Sequence, residues 1–366
     1  MRISQLQLQQ FKNYENETFE FHPRLNVITG LNGMGKTNVF DALHYLSFTK
    51  SAFNSMDALN VMHERDYFSI VGKFQAEEPL ETICYFHKQT GKNIQVDESN
   101  LEKIGEHIGR IPLILSTPYD QALILDGSEA RRKFIDGTIS QFDGEFLAVL
   151  LKYQRVLKQR NACLKNAKTM SKSSLNALLD VYDEDIVRFS KEISLKRKGL
   201  VDMLFPFFTL NYSDISGTRE EAGLSLKSQV QDKEFHKEYA NNREKDIIMQ
   251  RTSMGCHRDD FIFTLNNHPL KKEGSQGQQK SYLLSLKLAQ FDLLKSKSSV
   301  PILLLDDLFD KLDDERIQHI LHILGNNDRF QQVFISDARV ERISALFAET
   351  TDLKFFEIEE GELVRK

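Results

Sequence analysis

Gly30-Leu31-Asn32-Gly33-Met34-Gly35-Lys36-Thr37 is the stretch that decides how the rest of this chain is read. Leu25 to Thr29 is a short apolar run leading straight into Gly30, and Val39, Leu43 and Leu46 recur at helical spacing after Thr37. The glycines therefore fall between a strand and a helix, where such a loop turns its amide groups inward on phosphate oxygens. Gly30 and Gly35 frame the turn, Gly33 adds room, and Leu31, Asn32 and Met34 complete the cradle. Lys36 supplies a positive charge to the β- and γ-phosphates, and Thr37 offers a hydroxyl to Mg2+. The helix that starts there adds its positive N-terminal end. The expected ligand is ATP with Mg2+.

A metal in such a site needs an acidic partner. Val300 to Leu305 is a continuous apolar run, typical of a buried parallel strand, and it delivers Asp306 and Asp307 at its carboxyl end. Asp306 is expected to hold Mg2+, and Asp307 to orient or deprotonate the attacking water.

Gly274-Ser275-Gln276-Gly277-Gln278-Gln279-Lys280 opens a further helix, about Gln278 to Lys295. A serine and two glycines at a helix start form a second anion site. One chain has no need of two γ-phosphate cradles. In ATPases of the ABC class the second cradle closes on the ATP of another protomer, and at this point the resemblance becomes specific. The chain is similar to the ABC/SMC-type P-loop ATPase head. Ser275, Gln276, Gly277 and Gln278 resemble its signature, acting in trans, and Leu312-Asp313 resembles its D-loop. Lys36 and Ser275 lie more than half the chain apart, with a basic helical stretch between them. That spacing disfavours a transporter ATPase.

One family matches more closely: RecF, the bacterial recombination mediators. The residues that carry the resemblance are Phe11-Lys12-Asn13-Tyr14, the glycine loop, Arg131-Arg132-Lys133-Phe134-Ile135-Asp136 and Tyr153 to Asn161. They continue with Gly255-Cys256-His257-Arg258-Asp259-Asp260, Gly274 to Lys280 and Leu303 to Asp313. The resemblance implies an α/β head built from both chain ends, 1–128 and 249–366, with an α-helical arm from 129–248. It implies an ATP-dependent homodimer on double-stranded or gapped DNA, slow hydrolysis, and work with RecR and RecO in loading RecA. Lys12 is counted with the ATP-binding residues. Three features depart from the pattern. Cys256 stands where the family usually has Pro. Ser336-Asp337 stands in place of a switch histidine, so γ-phosphate sensing is expected to be weaker or to fall to Asp337. The Q-loop position falls to Asp120 or Gln121. The alternative reading is an SMC-like ATPase with nuclease or other DNA-processing activity.

The net charge of −5, from 48 Lys and Arg against 53 Asp and Glu, does not by itself indicate a nucleic-acid binder. Its distribution is more telling. Phe146 to Leu179 contains no acidic residue but carries Lys152, Arg155, Lys158, Arg160, Lys165, Lys168 and Lys172. If all of these met phosphate, the log–log salt slope would approach about −6. Arg131 and Arg132 extend the DNA candidates or bond acidic groups instead. No base-reading motif is visible, so contacts are expected to follow the DNA backbone. His257 to Asp260 makes a poor metal-ligand set and is read as a structural ion-pair network.

The coarse expectation is α/β to about residue 130, with strands at Tyr67 to Phe74, Thr82 to Phe86 and Ile111 to Leu115. Helices follow, the second running from about Leu175 to Leu204 and ending near Pro206, then a weakly structured polar segment from Asn211 to Gln250. Asp314 to Leu324 reads as a helix stopped by Gly325, Val333 to Ile335 as a strand, and Phe355 to Val364 as a closing hairpin. Cys84, Cys163 and Cys256 are too few and too scattered for a disulfide framework, and no run suits a signal peptide or membrane span. The expected compartment is the cytoplasm.

Overall fold

Leu6 and Leu8 are buried and Gln7 and Gln9 exposed, so Arg2–Phe11 (β1) is the half-buried strand that its alternation predicts. The computed structural model of the chain describes residues 1–217, 220–309, 312–325, 329–339, 345–347 and 352–365. These fall into two compact units. One comprises Met1–Asp120, Asn211–Gly217 and Gln276–Lys366; the other comprises Gln121–Leu210 and Thr218–Ser275.

The first unit holds two six-stranded sheets. The antiparallel one contains β1, Tyr14–Glu20 (β2), Tyr67–Gln75 (β4), Leu80–His87 (β5), Gly91–Val96 (β6) and Ser99–Asn100 (β7), in the order β2-β1-β4-β5-β6-β7. The other contains Leu25–Thr29 (β3), Leu113–Ser116 (β8), Ile302–Leu305 (β12), Gln332–Asp337 (β13), Leu353–Glu359 (β14) and Glu362–Arg365 (β15). Its order is β15-β14-β3-β13-β12-β8, parallel except for the terminal β14–β15 hairpin. All four residues of β12 are buried, as a strand covered on both faces requires. Lys36–Phe48 (α1) contributes Val39, Phe40, Leu43 and Leu46 to one core with Leu6, Leu8, Phe68 and Ile70 from the first sheet and Leu304, Phe334 and Phe356 from the second. Gln276–Lys297 (α9) and Asp314–Leu324 (α10) also belong to this unit. The bounds of α10 are those the sequence predicts, because the Asp313 side chain accepts from the Arg316 amide (2.9 Å) and caps the helix.

The second unit contains Ala122–Leu125 (α2), Ser128–Ser140 (α3), Gly144–Lys165 (α4), most of Lys172–Ser216 (α5), Phe235–Asn241 (α6), Arg243–Met249 (α7) and Leu270–Glu273 (α8). A small sheet joins Ala222–Lys227 (β9), Asp260–Leu265 (β10) and His268–Pro269 (β11). Three expectations need correction here. Pro206 does not end its helix: α5 passes through it to Ser216, with Leu204 and Phe208 both fully buried on either side. Packing there outweighs the lost backbone bond. The segment 211–250 is not weakly structured. Ala222 and Leu224 alternate inward on β9, and Phe235 and Tyr239 are buried one turn apart on α6. Finally, residues 249–275 group with the middle of the chain, since β10 pairs along its whole length with β9.

Candidate nucleotide site

The carboxyl ends of β3, β13, β12 and β8 all point to one edge of the parallel sheet, where open α/β sheets gather ligand-binding groups. β3 ends at Thr29 and α1 begins at Lys36, so Gly30 to Gly35 form the loop between them. Gly30 and Gly35 have φ of 141° and 120°. A Cβ on Gly30 would lie 2.3 Å from the Ile358 carbonyl oxygen, and one on Gly35 would lie 2.6 Å from Asn13 Nδ2. Only glycine fits either place.

The loop is braced from outside. Asn13 Nδ2 donates to the Met34 carbonyl (2.9 Å), Tyr14 Oη to the Gly35 carbonyl (3.0 Å), and Asn38 Nδ2 to Asn13 Oδ1 (2.7 Å). The Gly361 amide also donates to the Met34 carbonyl (3.0 Å). Asn13 and Tyr14 came forward from sequence only through family resemblance; their work is to fix the loop.

Lys36 Nζ donates to the Gly30 and Leu31 carbonyls at 2.7 and 3.0 Å. Burial lowers its pKa, and the negative charges of Asp307, Asp306 and Asp337 oppose that shift. Thr37 Oγ1 donates to Asp306 Oδ2 (2.8 Å), and Ser336 Oγ donates to Asp306 Oδ1. Burial raises the Asp306 pKa, against the bonds from Ser336 and Thr37. A cavity of about 340 Å³ is lined by Asn32, Gly33, Gly35, Lys36, Thr37 and Asn38 of the loop and helix, with Pro118, Tyr119, Asp306 and Asp307 opposite. The structure thus joins residues from three distant parts of the chain, as the motifs require. Thr37 and Asp306 offer hard oxygen donors of the kind that, with phosphate oxygens, suit Mg2+. Among the described residues no group of three or more His, Cys, Asp or Glu could hold a metal ion, so a metal here would depend on its nucleotide for further ligands.

Asp307 has φ of 48°, an uncommon left-handed conformation for a non-glycine residue, costing on the order of 1–3 kcal/mol. Its amide donates to Ser336 Oγ (3.1 Å) and its carbonyl accepts from Lys280 Nζ (2.7 Å). Ser336 therefore bridges the two aspartates, a role that sequence reading did not assign to it. Asp337 is buried at the end of β13 and accepts from the Arg339 amide (2.7 Å); it acts on Lys36 through its charge but does not line the cavity. Leu31 is largely exposed, and neither it nor Met34 lines the cavity. Lys12 is likewise not part of the lining. Its ammonium pairs with buried Asp41 (2.6 Å) and lies 5.2 Å from the Phe53 ring centre. Asp120 pairs with Lys287 (2.8 Å) and accepts from the Thr117 amide, leaving its neighbour Tyr119 at the cavity. Ser275 directly precedes α9, and both it and Gln276, the first residue of the helix, are exposed. Gly277 and Gln278 are half-buried on its first turn. Leu312-Asp313 stands just before α10, while the adjoining residues 310 and 311 of the Leu303 to Asp313 motif lie outside the described residues.

The basic stretch divides. Lys152, Arg155, Lys158, Lys165, Lys168 and Lys172 are exposed, and none pairs with a carboxylate among the described residues. Arg160 is fully buried and is not available to DNA. It donates to Asp183 Oδ1 (2.6 Å), Asp246 Oδ2 (2.8 Å) and Thr252 Oγ1 (2.8 Å). Phe146, Leu150, Tyr153, Arg160 and Leu164 form the buried face of α4, so helical spacing alone could have placed Arg160 inside. Arg131 and Arg132 are also engaged, the first with Asp260 (2.8 Å) and the Leu123 carbonyl (2.8 Å), the second with the Asp259 carbonyl (2.7 Å). His257 to Asp260 does form an ion-pair network. Asp259 and Asp136 both meet Arg197, at 2.9 and 2.8 Å, and His257 Nδ1 lies 2.6 Å from Tyr153 Oη. Cys256 is buried beside it, its thiol pushed up to about 12 by burial.

Comparison with known proteins agrees with this geometry. The RecF/RecN/SMC N terminal domain family matches residues 2–110. The DNA replication and repair protein RecF of Flavobacterium johnsoniae is 40% identical over 352 residues, covering 96% of this chain and 98% of that one. That of Bacteroides thetaiotaomicron is 38% identical and covers 99% and 98%. Among solved structures, the recombination mediator protein RecF-ATP in the RecFOR pathway aligns over 99% of this chain and 96% of its own, with a TM-score of 0.87 and 26% identity. An SMC head bound to the C-winged helix domain of ScpA aligns with a TM-score of 0.59 at 14% identity, a likeness of fold alone. With the glycine loop and the aspartate pair meeting at one sheet edge, and with relatives this similar along their full length, the chain belongs to the RecF family of DNA replication and repair proteins.

Proposed function

We propose that this protein is an ATP-gated DNA clamp of recombinational gap repair. The observation that carries the reading is the cavity that gathers the glycine loop, Thr37, Asp306 and Asp307, in a chain whose α9 opens on an exposed Ser275-Gln276 turn. The cavity supplies what one nucleotide's phosphates need, and the turn at α9 is a spare anion site for a second copy's nucleotide. Lys36 and the loop amides bind the phosphates, Thr37 and Asp306 hold Mg2+, and Asp307 orients the attacking water. Bound Mg2+ supplies charge neutralisation at the phosphates. Asp337 senses the γ-phosphate through its charge on Lys36. Lys12 acts on the site through its pair with Asp41 on α1.

ATP binding draws two copies together, and Arg155 and the exposed lysines of 152–172 meet the backbone of double-stranded or gapped DNA. Slow hydrolysis releases both. RecR and RecO are the partners through which the clamp promotes RecA loading, in the cytoplasm. Support for this placement comes from the relatives described as recombination mediators of the RecFOR pathway.

Sedimentation of the full chain with gapped duplex, with and without ATP, tests the reading. A dimer is expected at saturating ATP, and a strict monomer would overturn it. Lys36→Ala should abolish ATP binding and dimerisation, Asp307→Asn should trap the dimer, and Ser275→Arg should bind ATP yet remain monomeric.

A further inference from the structure

We propose that Lys280 is a positioning residue for Asp307, and that it connects the catalytic carboxylate of a chain to the first turn of that chain's own signature helix. The inference rests on the reading of Asp307 as the group that orients water.

Three observations carry it. Asp307 has φ of 48°, a left-handed conformation that aspartate tolerates better than most residues but that is still uncommon. Its peptide groups are gripped on both sides: the amide donates to Ser336 Oγ at the end of β13 (3.1 Å), and the carbonyl accepts from Lys280 Nζ (2.7 Å). The second grip comes from α9, whose first residue, Gln276, is one helical turn before Lys280 and so on the same face.

The direction of a side chain follows from the dihedrals of its own backbone. Fixing the amide and the carbonyl of Asp307 therefore fixes the direction in which its Cα–Cβ bond leaves the backbone and the rotamers open to its carboxylate. A lysine suits the task because its ammonium ends a flexible stem and makes a charge-assisted bond to a carbonyl.

The test uses the full-length chain with Mg2+, ATP and gapped duplex. It measures kcat and KM for hydrolysis, ATP affinity by equilibrium binding, and dimerisation by sedimentation. Lys280→Met keeps the apolar stem and removes the donor. It is expected to lower kcat by about 10- to 100-fold, the effect of a small misplacement of a catalytic group, with ATP affinity and dimerisation unchanged. Lys280→Arg restores a cationic donor and is expected to recover most of kcat. Lys280→Gln retains a polar end should the methionine variant fail to fold, and is expected to lower kcat at unchanged KM. Wild-type kcat in Lys280→Gln or Lys280→Met overturns the proposal, as does a parallel loss of ATP affinity that arginine does not restore. Asp307→Asn is the control for the underlying reading: if it hydrolyses ATP at the wild-type rate, that reading has failed, whatever the Lys280 variants do.

Discussion

Replacing Arg160 by alanine separates a buried arginine from a DNA-facing one. Arg160 is 0% exposed and makes three side-chain hydrogen bonds. Its loss falls unequally on its partners. Asp183 keeps Arg243 (2.8 Å) and the Tyr239 hydroxyl (3.3 Å). Asp246 Oδ1 keeps Asn242 and Ser253 at 2.8 and 2.6 Å. Among the described residues Asp246 Oδ2 accepts from Arg160 alone, so a carboxylate oxygen of a residue 1% exposed loses that donor. Breaking a buried pair in this way costs about 3–5 kcal/mol, a large share of the roughly 5–15 kcal/mol that stabilises a typical domain. Arg155, exposed on the same helix, is the comparison. Arg155→Ala should change unfolding free energy by less than about 0.5 kcal/mol and, if Arg155 meets phosphate, reduce the log–log salt slope of DNA binding by about 0.9. Urea unfolding and salt-titrated binding to gapped duplex measure both quantities. Arg160→Ala with wild-type stability but a reduced salt slope would refute the reasoning and return Arg160 to the DNA surface.

Three further outcomes are expected. Gly30→Ala should abolish nucleotide binding in an equilibrium assay, because its Cβ would lie 2.3 Å from the Ile358 carbonyl oxygen at φ 141°; normal binding would show that β14 yields there. Burial lowers the His257 pKa from 6.5 to about 4. Its neutral form accepts from Tyr153 Oη at Nδ1 and donates to the Thr252 carbonyl from Nε2 (3.1 Å). Its contribution is therefore full above the unfolded pKa of 6.5 and lost as pH falls toward 4, so His257→Gln should flatten the stability profile in that window; an unchanged slope in urea unfolding would count against it. Thr37→Val removes the donor to Asp306 Oδ2 (2.8 Å) and should raise the Mg2+ concentration needed for hydrolysis, read from a metal titration at saturating ATP.

Backbone-determined features were the most legible in the sequence. The glycine loop could be read because positive φ leaves few residue choices, and β12 because an unbroken apolar run has one comfortable place in a parallel sheet. What depended on distant partners was harder. Arg160 looked like one more cation in an acid-free window, since the acids that hold it, Asp183 and Asp246, lie outside that window. Asp120 looked like a candidate at the nucleotide, although Lys287 holds it. Pro206 looked like a helix end because propensity ignores Leu204 and Phe208 beside it. Ser336 stood out only as a residue in place of a switch histidine, and nothing in the sequence pointed to its bonds with Asp306 and Asp307.

The order β14-β3-β13 has a consequence for how the nucleotide site comes to exist. β3 carries the glycine loop, yet both of its neighbours come from the last part of the chain. The same holds for the loop itself. Gly30 packs on Ile358, the Met34 carbonyl receives the Gly361 amide, and Thr37 bonds Asp306. Residues near the amino terminus therefore define the phosphate cradle chemically and brace it through Asn13 and Tyr14, but its flanking strands and its contacts with Ile358, Gly361 and Asp306 come from the far end of the chain. Such long-range closure makes folding slow and leaves early fragments without the site. The nucleotide site is therefore made by both ends of the sequence together, and a fragment ending before β12 would lack Asp306 and both neighbours of β3.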